Sequence, residues 1–193
     1  MGRHREFDPD TALLAALDVF RSKGFEGASL TDLTDAMGIT RPSLYATFGN
    51  KEDLFRRVLE QYQNTCMAFS ERALLEPTAR AVAERMLYGA ADAQTDCAHP
   101  AGCLATNGAI VCSDAAEPIR RTLAAIRDAK ESALSCRLQR AREEGDLPPE
   151  ADPAALAAFV VALIQGMAVM AASGTSREAL YNVVKTSLRA WPT

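Results

Sequence analysis

The stretch MGITRPSLYATFGNKEDLF, residues 37–55, decides how this chain is read. Gly38 stands where the backbone must reverse after one helix, and Thr40 offers a hydroxyl to cap the next. Pro42 falls in the first turn of that second helix, where its missing N–H removes no hydrogen bond. A purely structural helix here would carry good helix formers with charges facing water. This one carries Arg41, Ser43, Tyr45 and Thr47, side chains suited to a polyanion. From Met37 to Lys51 no residue is acidic, so the local field is positive although the chain as a whole is not. Two helices joined by a short glycine turn have the geometry of a helix-turn-helix, whose second helix enters the DNA major groove by its N-terminal residues. Arg41 suits guanine or phosphate, the hydroxyls of Thr40, Ser43 and Thr47 suit base edges or backbone, and Tyr45 and Lys51 suit phosphate.

The flanking sequence keeps the helical punctuation. Upstream, Asp8-Pro9 opens a helix whose Leu13, Leu17 and Phe20 recur at helical spacing until Gly24. Ser29 starts the first helix of the motif, with Asp32 three residues on to complete a capping box. Downstream, Gly49 ends the second helix, and Asn50 caps a long one with Leu54, Val58 and Tyr62 on one face. Pro77 opens a helix carrying Val82, Met86 and Leu87. An apolar segment covers residues 103–112, and a long helix follows from Glu117 with Ile119, Leu123, Ile126, Leu134 and Leu138. EEGDLPPEADP, residues 143–153, reads as the plainest linker. The last helix, after Ser176, aligns Leu180, Val184, Leu188 and Trp191. No stretch reads as a strand.

Length and composition agree with a helical globule. The 193 residues are 48% hydrophobic but only 6% aromatic, with a formal charge of −4, so nucleic-acid binding has to be argued locally. The opening MGRHREFDPD lacks an apolar core segment and fails the myristoylation pattern at Glu6, so the expected compartment is the cytoplasm. AALAAFVVALIQGMAVMAA, residues 154–172, is uncharged and near spanning length. Its alanines, the central Gln165 and the lack of basic flanks favour a helix buried on every side within the protein over one in a membrane.

The segment LDVFRSKGFEGASLTDLTDAMGITRPSLYATFGNKEDLF, residues 17–55, closely resembles the DNA-binding region of TetR/AcrR-family transcriptional regulators. Phe20, Lys23-Gly24-Phe25, Ser29-Leu30, Leu33, Gly38-Ile39, Leu44-Tyr45, Phe48, Lys51 and Leu54-Phe55 carry the match, over about the first third of the chain. Thr34 is a mild departure, since a small Ala is usual there. Motif and resemblance together give a DNA-contacting set of Ser29, Thr31, Thr40, Arg41, Ser43, Leu44, Tyr45, Thr47 and Lys51. The fold expected is all-α with about nine helices. A three-helix helix-turn-helix domain is expected over residues 1–50, followed by a larger ligand-binding and dimerisation domain over residues 51–193.

Resemblance also implies a homodimer paired through the last two helices, with Phe159, Leu163, Val184 and Leu188 as interface candidates. The small residues Ala162, Gly166 and Ala168 would allow close helix approach. It implies, too, a pocket among the middle helices for an apolar or amphipathic effector. Side-chain chemistry nominates Met86, Cys103, Asn107, Phe159, Leu163 and Met167 for that pocket. The function expected is a repressor on a palindromic double-stranded DNA operator, released by a small molecule, with no cofactor, no metal and no membrane. CAHPAGC, residues 97–103, matches no common zinc spacing. Cys103, Cys112 and Cys136 read as small buried side chains. The alternative is a thiol-based redox or electrophile sensor, with Cys103 partly exposed and Cys97 as its resolving partner. A more remote alternative is an all-α enzyme, for which no Ser-His-Asp set, phosphate loop or metal motif is present and only His4 and His99 are available.

Overall fold

The computed structural model describes residues 7–106 and 116–192, which fold into nine helices with no strand among them. Local chemistry sets most boundaries. Helix α1 (Pro9–Gly27) starts at Asp8, which accepts from the Asp10 N–H and the Thr11 hydroxyl, and is interrupted at Gly24 (φ 70°, ψ 177°). That conformation excludes an ordinary L side chain and turns Phe25 back into the core. Helix α2 (Leu30–Met37) ends at Gly38 in the left-handed region, and α3 (Arg41–Phe48) ends at Gly49. Helix α4 (Lys51–Asn64) opens with a complete capping box between Asn50 and Asp53. The remainder is α5 (Phe69–Ala73), α6 (Ala79–Gln94), α7 (Glu117–Glu143), α8 (Pro153–Ala172) and α9 (Arg177–Leu188).

Two apolar clusters hold these helices. The first packs Leu17, Phe20, Leu33, Leu44, Phe48, Leu54 and Phe55 from α1 to α4. Phe55 meets Phe20 edge-on at 5.0 Å and Phe25 at 5.2 Å, pairs worth roughly 1 kcal/mol each beyond their buried area. The cluster continues into Cys103, Leu104, Ile119 and Leu123, so α4, which starts at Lys51, is shared between the helix-turn-helix and the larger helical part. The second cluster joins α6, α7, α8 and α9 through Val82, Leu87, Leu134, Leu138, Val160, Met167, Leu180 and Trp191.

Several expectations change here. Val184 and Leu188 are 1% and 5% exposed inside the second cluster, so they face the chain's own core and not a partner. Helix α8 is not buried on every side: 28% of its most apolar window is buried, and Phe159, Val169 and Met170 are exposed. It is the one helix among the described residues long and apolar enough to cross a membrane. Its other face, with Ala157, Val160, Met167 and Ala171, is packed into the second cluster. The segment read as a linker is built in, because Leu147 is buried and the Asp146 carboxylate accepts from the Ala79 N–H at the start of α6. Cys136 is exposed, against the expectation that it fills core space.

Candidate nucleic-acid interface and ligand cavity

The start of α2 is locked from three directions. The Ser29 N–H donates to Asp32 Oδ2 and the Asp32 N–H donates to Ser29 Oγ, each at 3.0 Å, while Lys23 Nζ lies 2.6 Å from Asp32 Oδ1. The Lys23 ammonium, with the Ser29 N–H and hydroxyl, holds the Asp32 carboxyl down at about 2. An exposed ion pair adds little stability by itself. Its effect is geometric, fixing the entry to α2 against α1.

At the front of α3, Thr40 Oγ1 accepts from the Ser43 N–H at 3.3 Å, and Arg41 Nη2 donates to Thr31 Oγ1 at 2.8 Å. That bond spans the two helices of the motif and parks the guanidinium on its outer surface. Ser29, Thr31, Thr40, Arg41 and Tyr45 are exposed, and Ser43, Thr47 and Lys51 are half-buried. The Lys51 ammonium donates to the Glu26 carbonyl at 3.4 Å and stands 4.7 Å above the Phe25 ring. Burial pulls it below the ordinary lysine range, partly offset by Glu26. Leu44 is corrected: it is fully buried beside Phe48 on the inner face of α3, so its side chain cannot reach DNA.

A cavity of about 270 Å³ opens among α4, α5, α6, α7 and α8. Met86 and Cys103 line it as expected from their chemistry, and Asn107 lies outside the described residues. Phe159, Leu163 and Met167 do not line it. Phe159 is 39% exposed, Leu163 packs against the second cluster and Met167 lies within it. Because α8 is apolar all round, no polar side fixed its rotation in the sequence. The fold turns Val161, Ile164 and Gln165 to the cavity instead. Tyr62, Met67 and Lys130 also line it and were missed. Lys130 left a signal, for it sits four residues from both Ile126 and Leu134, inside the apolar row of α7.

The cavity wall is tied to the helix-turn-helix. The Tyr62 hydroxyl donates to Cys103 Sγ at 3.4 Å, and burial pushes its ionisation well above the usual tyrosine range. Arg21, buried on α1, donates to the carbonyls of Gly102 at 3.1 Å and Ala93 at 3.4 Å, with its guanidinium 5.9 Å from the Tyr62 ring. Asp18 Oδ1 lies 2.9 Å from His99 Nδ1. Helix α1 therefore grips both ends of the loop that delivers Cys103. Cys103 itself is 5% exposed, short of the partial exposure that an oxidant-sensing thiol needs, while Cys97 is exposed. Among the described residues no group of three or more His, Cys, Asp or Glu is placed to hold a metal.

Helix α8 turns a stripe of Ala155, Ala158, Phe159, Ala162, Gly166, Val169 and Met170 to solvent. A Cβ added at Gly166 would meet nothing within 4 Å.

Residues 12–58 match the family described as bacterial regulatory proteins, tetR family, and residues 80–187 match the tetracyclin repressor-like C-terminal domain. The HTH-type transcriptional repressor ComR of Escherichia coli (strain K12) is 36% identical over 193 residues, covering 99% of this chain and 92% of that protein. A cysteine-substituted form of the TetR family regulator CifR, solved with 26 bp double-strand operator DNA, superimposes with a TM-score of 0.92 at 39% identity, covering 98% of this chain and 100% of that one. A TetR transcriptional regulator from Rhodococcus sp. RHA1 is 37% identical with a TM-score of 0.65, covering 96% of this chain and 99% of that one. These relatives are regulators of transcription and not enzymes. The helix-turn-helix with its buried inner face, the larger helical part and the two matched segments agree: this chain belongs to the tetR family of bacterial regulatory proteins.

Proposed function

We propose that this protein is a repressor that holds a palindromic operator as a homodimer and releases it when a small apolar or amphipathic molecule fills the cavity beside Cys103. The observation that carries the reading is the outer face of α2 and α3. There Thr31, Thr40, Arg41 and Tyr45 lie exposed on a surface with no acid between residues 37 and 51. The solved CifR complex, which contains double-strand operator DNA, supports it.

The exposed stripe of α8 supports the homodimer. Ala158, Ala162 and Gly166 let a partner helix approach closely, and Phe159, Val169 and Met170 supply apolar area. Of the interface candidates, Phe159 stays available and Leu163 is half-buried. The packed reverse face of α8 argues for a partner copy over a bilayer, because insertion in lipid would strip the helix from its own core. A dimer of this kind sets two recognition helices about 34–36 Å apart, one turn of DNA. The cytoplasm is the compartment in which that operator is met.

Release needs a ligand that binds the form unable to hold DNA better than the form that can. Arg21 and Asp18 provide the mechanical route, since an occupant that moves Cys103 or Tyr62 also moves the loop that α1 grips. The test compares two variants on operator DNA. Arg41→Ala should weaken binding by about 1–3 kcal/mol and relax the preference at one position. Lys51→Ala should weaken all sequences alike and flatten the salt dependence. If both variants bind every DNA as wild type does, the interface is misplaced.

A further inference from the structure

We infer that the cavity is built for an amphipathic anion, a small carboxylate with an apolar tail, whose head is held by Lys130. This rests on the ligand-responsive reading above and names the chemical class of the effector. The cavity is lined by Met67, Leu74, Met86, Leu134, Val161 and Ile164, side chains that select an apolar body. Into that lining α7 places one ammonium, at a helical position where its neighbours one turn away are Ile126 and Leu134. Such a position normally carries another aliphatic side chain.

Lys130 makes no hydrogen bond or ion pair among the described residues; the Glu71 carboxylate and the Cys103 thiol act on it at longer range. Its burial draws the ammonium below the ordinary lysine range, against the pull of Cys103 and Glu71. A partly desolvated cation with no partner among the described residues is an unfavourable arrangement, and an incoming carboxylate relieves it with a charge-assisted hydrogen bond. The other charged groups at the cavity are Glu71 and Arg127, both exposed to water and so screened. Arg127 is already paired with Asp128 at 3.0 Å. The interior is therefore positive, while its walls are apolar. Gln63, whose Oε1 is buried without a partner among the described residues, adds an amide that can turn either end to the occupant. A volume of about 270 Å³ lies near the lower end of small-molecule pockets, which suits a ligand of about ten non-hydrogen atoms.

The experiment uses octanoate and 1-octanol, matched in tail and differing in the head, with calorimetric titration into the full chain and its Lys130→Met and Lys130→Arg variants. Wild type should bind octanoate about tenfold or more tightly than octanol. Lys130→Met should lose that margin with octanol affinity unchanged, and Lys130→Arg should keep it. Because Met removes a partly buried charge, this variant should fold at least as well as wild type, which a thermal melt verifies. Octanol binding as tightly as octanoate, octanoate binding equally to Lys130→Met, or no binding of octanoate at millimolar concentration would each overturn the anion class. A parallel titration of labelled operator separates the two readings: octanoate that binds through Lys130 yet leaves DNA affinity unchanged upholds the site and overturns the release mechanism.

Discussion

Arg21 on α1 donates from Nη2 to the carbonyl oxygen of Gly102, 3.1 Å away and 81 residues along the chain. Gly102 immediately precedes Cys103, so one buried guanidinium joins the helix that packs behind the helix-turn-helix to the wall of the cavity. Arg21→Met keeps the apolar stem and removes both carbonyl contacts. It should lower stability by about 2 kcal/mol, the scale of hydrogen bonds from a charged donor. Amides of residues 97–103 should exchange faster with solvent than in wild type. Equal denaturation midpoints and unchanged exchange in that loop would mean that Arg21 does not hold it.

Two glycines of the motif separate backbone strain from steric contact. Gly38 has φ 65° and a Cβ there would meet nothing within 4 Å, whereas at Gly49, with φ 80°, it would lie 2.7 Å from Asp53 Oδ2. Gly38→Ala should therefore lose about 1 kcal/mol from the left-handed conformation alone. Gly49→Ala should lose about 3 kcal/mol, because it also displaces the carboxylate that caps α4. Thermal or urea unfolding of the two variants checks the order, and a smaller loss at Gly49 would contradict the contact.

Asp32 gives the pH dependence. Its carboxyl is held at about 2 by Lys23 first and by the Ser29 N–H and hydroxyl next, below its ordinary value of 3.8. A depressed folded value means that the contribution is complete above the unfolded value and is lost as pH falls from there through about 2. Carboxyl-carbon NMR should place the Asp32 midpoint near 2 in wild type and closer to the ordinary value in Lys23→Ala. A wild-type midpoint near 3.8 would show that the lock on α2 is not formed in solution.

Val184 and Ala162 lie on neighbouring C-terminal helices with opposite exposure. Val184→Asp places an unpaired charge in a site 1% exposed and should cost about 3–5 kcal/mol, unfolding much of the protein. Ala162 is exposed, so Ala162→Asp should leave the fold intact and convert dimer to monomer in sedimentation velocity. A folded Ala162→Asp that still sediments as a dimer would move the interface away from α8.

The punctuation of the fold was legible because it is local. Ser29 with Asp32, Thr40, Asn50 with Asp53, and the glycines at 24, 38 and 49 act on their own neighbours, and each is found capping or breaking the helix it borders. What a stripe packs against is not local. The row of Leu180, Val184 and Leu188 announces a buried face, yet the same pattern serves a core or a partner, and here it serves the core. Helix α8 withheld more, since a helix apolar on every side has no rotational phase to read. Resemblance puts Leu44 among the DNA contacts, whereas its helical spacing with Phe48 puts it on the inner face, where it lies. Lys130 is hard to read from sequence because a lysine on a long charged helix ordinarily faces water; only its place in the apolar row marks it. The bond from Arg21 to Gly102 joins distant parts of the chain and had no sequence signal at all.

Two copies of this chain should read one palindrome through α3. Selection from randomised double-stranded DNA, followed by footprinting and sedimentation of the complex, tests it most directly. An enriched inverted repeat is expected, with half-site centres about one helical turn apart and two protomers per duplex. Arg41→Ala should select a repeat whose preference is relaxed at one position of each half-site. A folded dimer that enriches no sequence, or that binds all duplexes equally with no protected repeat, would contradict it.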